Sequence, residues 1–414
     1  MTPEAEGTRN DRPGAAVATP TVGVAGHAGD DVRSDLRVTA RLTDSGGIRL
    51  AVRSRVAGLY GSAIEAEARR VAEALHVTNA EIEIDDAGAI DPVVGARVEA
   101  ALRAAGVTGG DGRPTRAIDP GEPTRRDRLR RSRLYLPGDQ PKLSLNAGLH
   151  RPDGVILDLE DSVHPVHKAA ARLVVRNLLR TVDFMGAERM VRINPLPLGL
   201  EDLDALGPEA VDVVLVPKVE DPETLKLVDE RIQASTDRPV WLMPILETAI
   251  GIERAFEIAS AVDSNVALTI GLEDYTADLG VVKTTEGAES LYARMRLVNA
   301  ARAAGLQPID SVFGDVGDEE GLRAWAGRSR GLGFEGMGCV HPRQIQPIHE
   351  AFAPSDEELS RALRIVAAFE EAEERGLGVV SLGSKMIDPP VVRRAVHTVD
   401  VARRTGRIEE GSDG

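Results

Sequence analysis

From residue 131 onward the chain repeats one pattern eight times: a short run of β-branched and aliphatic residues, then a stretch with helical apolar spacing. The runs lie at 134–136, 154–157, 190–193, 213–216, 240–245, 266–270, 308–313 and 336–340. Helical stretches such as 168–179, 223–232, 251–261, 291–304 and 318–328 separate them. Alternation of this kind builds parallel β/α units, whose strands are covered on both faces and therefore read as near-continuous apolar runs. Eight units predict an α/β fold, a (β/α)8 TIM barrel. The first polar residues beyond the runs are Asp139, then Asp158 with Glu160 and Asp161, Arg192 with Asn194, Lys218, Glu247, Glu273 with Asp274, Asp310, and His341. In a barrel these converge on the face where barrel enzymes build their active sites. Any strand ends in polar residues as it leaves a core, but that alone does not explain why so many here are ionisable.

Around the barrel, composition changes sharply. Residues 1–34 are rich in Gly, Ala, Pro and Thr without apolar periodicity, which predicts a disordered tail. Residues 35–106 carry two alternating segments (36–42 and 47–56), a helical stretch (63–75), a strand (80–84) and a second helix (93–105), hence a small α+β domain. Residues 107–130, with Gly109, Gly110, Pro114, Pro120, Gly121 and Pro123, predict a flexible linker. About 25 flexible residues would span roughly 25 to 30 Å, which gives a tethered partner a high local concentration. The linker runs into Arg125, Arg126, Arg128, Arg130, Arg131 and Arg133, opposed only by Asp127, which reads either as a solvated surface or as a phosphate contact. The barrel is assigned to 131–350. Residues 351–414 are predicted to form a helical lid or arm, opened by Ser355 and Glu358 at capping-box spacing.

Charge excludes some function classes. With 50 Lys+Arg against 66 Asp+Glu the net charge is −16, and aromatics are only 3%, so neither a phosphate-backbone binder nor a base-stacking platform is expected. Cys339 is the single cysteine, so no intrachain disulfide forms and a reducing, cytoplasmic setting is expected. No apolar run reaches signal-peptide or membrane-spanning length, and no membrane partner is expected.

The segments RSRLYLPGDQPKL (131–143), GVILDLEDSV (154–163), VRINP (191–195), VLVPKVE (214–220), ILETAIG (245–251), TIGLEDYTADLG (269–280), GCVHPRQI (338–345) and MIDPPVV (386–392) resemble the citrate lyase β-subunit group. That group lies within the HpcH/HpaI aldolase/citrate lyase superfamily, which also holds malyl- and citramalyl-thioester lyases. The segments RLTDSGGIRLAV (41–52), GSAIEAEARRV (61–71) and IDDAGAIDPVVGARVEAAL (84–102) are similar to the citrate lyase acyl carrier protein, or γ subunit. The chain thus looks like a carrier fused to a lyase.

The resemblance implies Mg²⁺-dependent cleavage of a citryl thioester to oxaloacetate and an acetyl thioester. Two carboxylates after strands five and six, Glu247 and Asp274, supply the hard oxygen ligands that Mg²⁺ requires, and the family binds its metal at the matching positions. Glu273 is the competitor to Asp274. Arg192, Glu160 and Asp388 form the expected catalytic set, with Asp388 reaching over from a neighbouring subunit of a homo-oligomer. Two alternatives stay open: an Arg192 that bridges to Glu160 or Asp161, and an Asp388 that only starts a turn before Pro389 and Pro390. Arg131, Arg133, Lys142 and Lys218 are expected to contact substrate or coenzyme A, and His341 to position neighbours. Ser45 matches the serine that carries a coenzyme A-derived, phosphoribosyl-dephospho-CoA-type arm; Gly47 departs from that family's acidic residue, and Asp44-Ser45-Gly46-Gly47 also reads as a hairpin turn. A separate α (acyltransferase) subunit would load the acyl group. The runner-up is a malyl- or citramalyl-CoA lyase acting on free coenzyme A thioesters beside a vestigial carrier.

Overall fold

The computed structural model describes residues 21–207, 211–374, 380–382 and 385–408. The chain forms two compact units, Met1–Gly112 and Arg113–Gly414.

The first unit holds β1 (Val22–Gly26), β2 (Leu36–Leu42), β3 (Ile48–Ser54), α1 (Ala57–Ala74), β4 (Ala80–Asp86) and α2 (Asp91–Ala104). The sheet order is β1-β2-β4-β3, antiparallel except for the β3–β4 pair. Period-two alternation sends Val38, Ala40, Ile82 and Ile84 into a core with Ile64, Ala68 and Val71 of α1 and Val94 and Val98 of α2. On the open face, the acidic Glu81 and Asp85 of β4 stand in register with Arg41 and Arg37 of β2 and with Arg49 and Arg53 of β3. A charged pair lies in the core: Arg97 on α2 is bidentate to Asp35 with both contacts at 2.9 Å, and His27 Nδ1 lies 2.9 Å from the same carboxylate.

Part of the stretch expected to be disordered is ordered. Val22–Gly26 pairs along β2 as an edge strand, while residues 1–20 lie outside the described residues. A five-residue segment with two glycines has little strand character of its own; the β2 ladder and α2 hold it in place.

In the second unit eight parallel strands close on themselves: β5 (Ser132–Pro137), β6 (Gly154–Asp158), β7 (Glu188–Arg192), β8 (Val213–Val216), β9 (Trp241–Leu246), β10 (Ala267–Ile270), β11 (Gln307–Asp310) and β12 (Gly336–Cys339). Inward-facing Ile156, Met190, Leu215, Met243, Ile245 and Ile309 fill the interior. Cys339, at the end of β12, is fully buried.

The supposed linker is not free. Residues 109, 110 and 112 accept hydrogen bonds from Arg103 and Arg70 of the first unit. From residue 114 on, the chain is stitched to the barrel: Arg180 donates to the Pro114 carbonyl, Arg189 to that of Pro120, Arg238 to that of Gly121, and the Trp241 indole to that of Thr124. Its Pro- and Gly-rich composition reflects turns laid along a surface, with the peptide carbonyls satisfied by barrel side chains. The arginine run is absorbed the same way, at the end of the barrel where the strands begin. Arg130 is bidentate to Glu188 at 2.7 and 2.8 Å with both side chains fully buried, and Arg131 is bidentate to Asp153 at 2.8 and 2.9 Å.

Beyond the barrel, helices Asp356–Glu374 and Pro389–Arg404 pack through Leu359, Ala362 and Ile365 against Val392, Ala395 and Val399. Ser355 and Glu358 form the reciprocal capping pair, at 2.8 and 3.1 Å, that starts the first of them.

Candidate active site

The ionisable residues at the C-terminal ends of the strands meet as a network. Arg192 closes β7 and is bidentate to Asp158, the last residue of β6, at 2.7 Å for both bonds. Its remaining Nη1 lies 2.6 Å from Glu160 Oε2, and Asp161 is 4.0 Å away. The guanidinium stacks 5.3 Å from the centre of the Tyr135 ring, which fixes it from below. Lys218, just past β8, reaches Glu160 Oε1 with Nζ at 3.0 Å. The Lys218 backbone has φ +51°, the left-handed region. It points the Lys218 N–H at Glu247 Oε1, 2.8 Å away and one residue beyond β9. Asp274 stands in the helix Leu272–Leu279 that follows β10.

Asp158, Asp161, Arg192, Glu247 and Asp274 line a cavity of about 490 Å³ that Arg133, Tyr135 and Thr269 also border from the barrel interior, with Glu160 and Lys218 placed behind Arg192 rather than on its wall. Its electrostatics are unbalanced. Burial pushes the Glu247 carboxyl up to about 8, and the neighbouring Asp274 and Glu160 push in the same direction. Burial also raises Glu160, against the pull of Arg192 and Lys218. Asp158 goes the other way: burial would raise it, but the hydrogen bonds and charge of Arg192 outweigh that and hold it below the usual carboxylate range.

Two carboxylates facing one cavity, one of them raised by burial and by the charge of the other, suit a divalent cation. Gly271 makes room for the arrangement, since a Cβ there would stand 2.3 Å from Glu247 Oε2. Among the described residues no group of three or more His, Cys, Asp or Glu side chains is placed to hold a metal. A hard ion that keeps several waters and takes its other oxygens from substrate needs no more than two protein carboxylates.

The remaining expected residues separate. Glu273 borders the cavity beside Asp274 but is exposed and pairs with Lys283 at 2.5 Å. Lys142 is exposed on the short helix Pro141–Ser144 just after β5, at the mouth. Arg131, expected near the substrate, precedes β5 and sits with Asp153 at the opposite end of the barrel, so the geometry corrects that expectation. Arg133, two residues on, is not at a nucleotide-binding rim but inside the barrel, 1% exposed. His341 caps the turn Pro342–Gln344, its Nδ1 accepting from the Arg343 N–H at 3.1 Å. Asp388 is exposed and caps the helix Pro389–Arg404 by accepting from the Val391 N–H at 3.3 Å; it does not border the cavity. Asp158 and Tyr135, which hold Arg192, were not singled out as site residues. The D-L-E-D spacing at 158–161 carried a signal for the first, while nothing in the sequence marked the second.

In the first unit Ser45 is exposed at the turn between β2 and β3. The turn is not a hairpin, because β4 lies between those strands. Gly46 and Gly47 adopt φ +102° and +70°, and the Asn79 side chain accepts from the Gly47 N–H at 2.9 Å. The hydroxyl-bearing loop is thus pinned from below and open above.

A closed parallel barrel with a guanidinium and carboxylates gathered at its C-terminal mouth defines a (β/α)8-barrel enzyme. The chain belongs to the HpcH/HpaI aldolase/citrate lyase family, whose model matches residues 131–342, and it is a carbon–carbon lyase of that family. A second model, of the acyl carrier type described as malonate decarboxylase delta subunit, matches residues 25–105. Citrate lyase subunit beta of Leuconostoc mesenteroides subsp. cremoris is 37% identical over 68% of this chain and 96% of its own length. Human mitochondrial citramalyl-CoA lyase is 33% identical over 66% of this chain and 85% of its own length. Among solved structures, protein CitE from Mycobacterium tuberculosis in complex with magnesium, acetoacetate and coenzyme A is 32% identical with a TM-score of 0.57, covering 68% of this chain and all of that one. No helix among the described residues is long and apolar enough to cross a membrane.

Proposed function

We propose that the barrel cleaves a citryl-type thioester into oxaloacetate and an acetyl thioester, with Mg²⁺ held by Glu247 and Asp274. The observation that carries the reading is the uncompensated pair itself: Glu247, seated by the Lys218 N–H and Gly271, shares a cavity with Asp274 and with a guanidinium fixed by Asp158. Bound there, Mg²⁺ would polarise the substrate's hydroxyl and adjacent carboxylate and lower the hydroxyl pKa. Glu160, its carboxyl raised by burial, accepts the hydroxyl proton. The O–H electron pair becomes the new carbonyl bond as the bond to the thioester α-carbon breaks. The electrons of that bond pass to the α-carbon and onto the thioester oxygen as an enolate, which a proton delivered to carbon converts into the acetyl thioester. Arg192 faces the charge that develops during cleavage, and Asp158 keeps its plane fixed while that happens. Lys218 balances Glu160. Asp388 of a neighbouring subunit supplies the proton to carbon, which makes the active form a homo-oligomer.

The carrier arm is attached at Ser45, where the loop is exposed and its Gly47 N–H is held by Asn79, and a separate acyltransferase subunit loads it. The test is to mix full-length protein with Mg²⁺ and citryl-CoA and to measure oxaloacetate release. Parallel intact-mass analysis of protein from its native host reads the adduct on Ser45. Release that needs Mg²⁺ and disappears in Glu247→Gln supports the lyase, and absence of release from metal-loaded protein rejects it. The 33% identity to citramalyl-CoA lyase favours a second reading, cleavage of free coenzyme A esters with Ser45 unmodified.

A further inference from the structure

The arginine the site does not use is Arg133. It is the second residue of β5, and its backbone lies four residues, about 13 Å along the tilted strand, before the strand's end at Pro137. Its side chain crosses the interior to Met243 Sδ on β9 at 3.0 Å, Thr269 Oγ1 on β10 at 3.2 Å and the Asp310 carbonyl on β11 at 3.4 Å. None of these is a carboxylate, and Nε has no hydrogen-bond partner among the described residues. The nearest candidate counter-charge, the Asp310 carboxylate, is taken by Arg294 Nη2 and Ser329 Oγ, both at 2.5 Å. Guanidinium groups stay charged in proteins, and a buried one without a carboxylate is a standing cost to the fold. At the base of the same barrel, Arg130, Arg131 and Arg189 each have a bidentate carboxylate. Arg133 is the exception, and it borders the active-site cavity. The residues in register with it on both neighbouring strands are Gly154 and Gly338, which add no side chain at that level.

We infer that Arg133, at the floor of the cavity, receives a second carboxylate of the acyl substrate, so that the group cleaved here releases a 2-oxo dicarboxylate rather than a 2-oxo monocarboxylate. The inference rests on the lyase reading above and specifies its acyl group. A substrate held at the mouth by its hydroxyl and adjacent carboxylate has one further substituent on the carbinol carbon. Hydrogen or methyl there leaves the floor guanidinium desolvated and unpaired. A carboxymethyl group matches its planar fork. Sites built around a buried polar group reject analogues that lack the partner far more strongly than apolar pockets reject a missing methylene.

The experiment is a binding titration of full-length protein with Mg²⁺ present, comparing oxaloacetate with pyruvate, followed by kcat/KM for citryl-CoA against citramalyl-CoA. Wild-type protein is expected to prefer the dicarboxylate, and its thioester, by about 100-fold or more. In Arg133→Met the preference is expected to collapse toward one, with Arg133→Lys in between. Pyruvate held as tightly as oxaloacetate by wild-type protein overturns the inference without any variant. An Arg133→Met protein that folds but loses both ligands equally also overturns it, since that is the behaviour of a core residue. If no thioester is cleaved yet oxaloacetate is preferred, the lyase reading fails and Arg133 stands as a carboxylate site.

Discussion

The two ends of the barrel are built from the same residue types and behave oppositely. At the base, Arg130 with Glu188, Arg131 with Asp153 and Arg189 with Asp212 form bidentate pairs, the last also taking Arg238 at 2.9 Å, so that each of these guanidinium groups has a carboxylate. At the mouth, Asp158, Glu160, Glu247 and Asp274 meet Arg192 and Lys218, and the excess acid shows in a Glu247 carboxyl pushed up to about 8. Matched charge closes the bottom of a barrel and holds its strands in register. Mismatched charge at the top is what the proposed cation and anionic substrate would neutralise.

That contrast breaks first, and hardest, at Glu247. Glu247→Gln is expected to lower kcat/KM by about 1,000-fold or more while the protein stays folded, because it removes one of the two carboxylates of the proposed cation site; steady-state kinetics beside a melting curve decides it. Arg192→Met is expected to cost about 100- to 1,000-fold in kcat, and Asp158→Asn, which only frees the guanidinium, roughly tenfold. A normal kcat in Arg192→Met would remove the guanidinium from the chemistry.

The base should respond in stability and not in rate. Arg130→Met leaves Glu188 buried without its partner and is expected to cost about 3 to 5 kcal/mol of unfolding free energy with kcat nearly unchanged, measured by denaturant titration. A rate loss there as large as at the mouth would erase the distinction between the two ends.

The pH dependence is the subtlest difference. Glu247 is raised from its ordinary 4.5 to about 8, so the folded, metal-free protein keeps a proton that the unfolded chain releases. Its contribution to stability is present at low pH and is lost as pH rises through that window, toward 8. The metal-free melting temperature should therefore fall over this range. Mg²⁺ should bind up to about tenfold more tightly per pH unit and level off near pH 8, with one proton released per ion, as calorimetry in two buffers would read. Glu247→Gln should flatten both trends.

The barrel was legible because buried parallel strands are apolar on both faces, and the eight runs stand out from their amphipathic helices. Glu247, Asp274 and Arg192 followed from their places after particular strands. What stayed hidden depends on partners. Arg131 and Arg133 stand in one basic run, yet Arg131 precedes β5 and pairs with Asp153 at the base while Arg133 is inside the strand and enters the interior, a difference set by where the strand begins. β1 is a strand only because β2 and α2 cover it, and the proline-rich stretch from residue 114 is ordered only because barrel arginines and a tryptophan satisfy its carbonyls. Asp158 and Tyr135 matter through what they do to Arg192, a relation that no single position in a sequence carries.

The buried Cys339 has a practical consequence. It is the only cysteine in the chain, and burial pushes its thiol up to about 12, so the native protein has almost no thiolate of its own at neutral pH. A thiol reagent applied without denaturant should therefore give a blank for the bare polypeptide. Any stoichiometric signal would come from a thiol outside the polypeptide, so the same reagent tests the proposed arm on Ser45 against almost no background and reads it only while its thiol is unacylated.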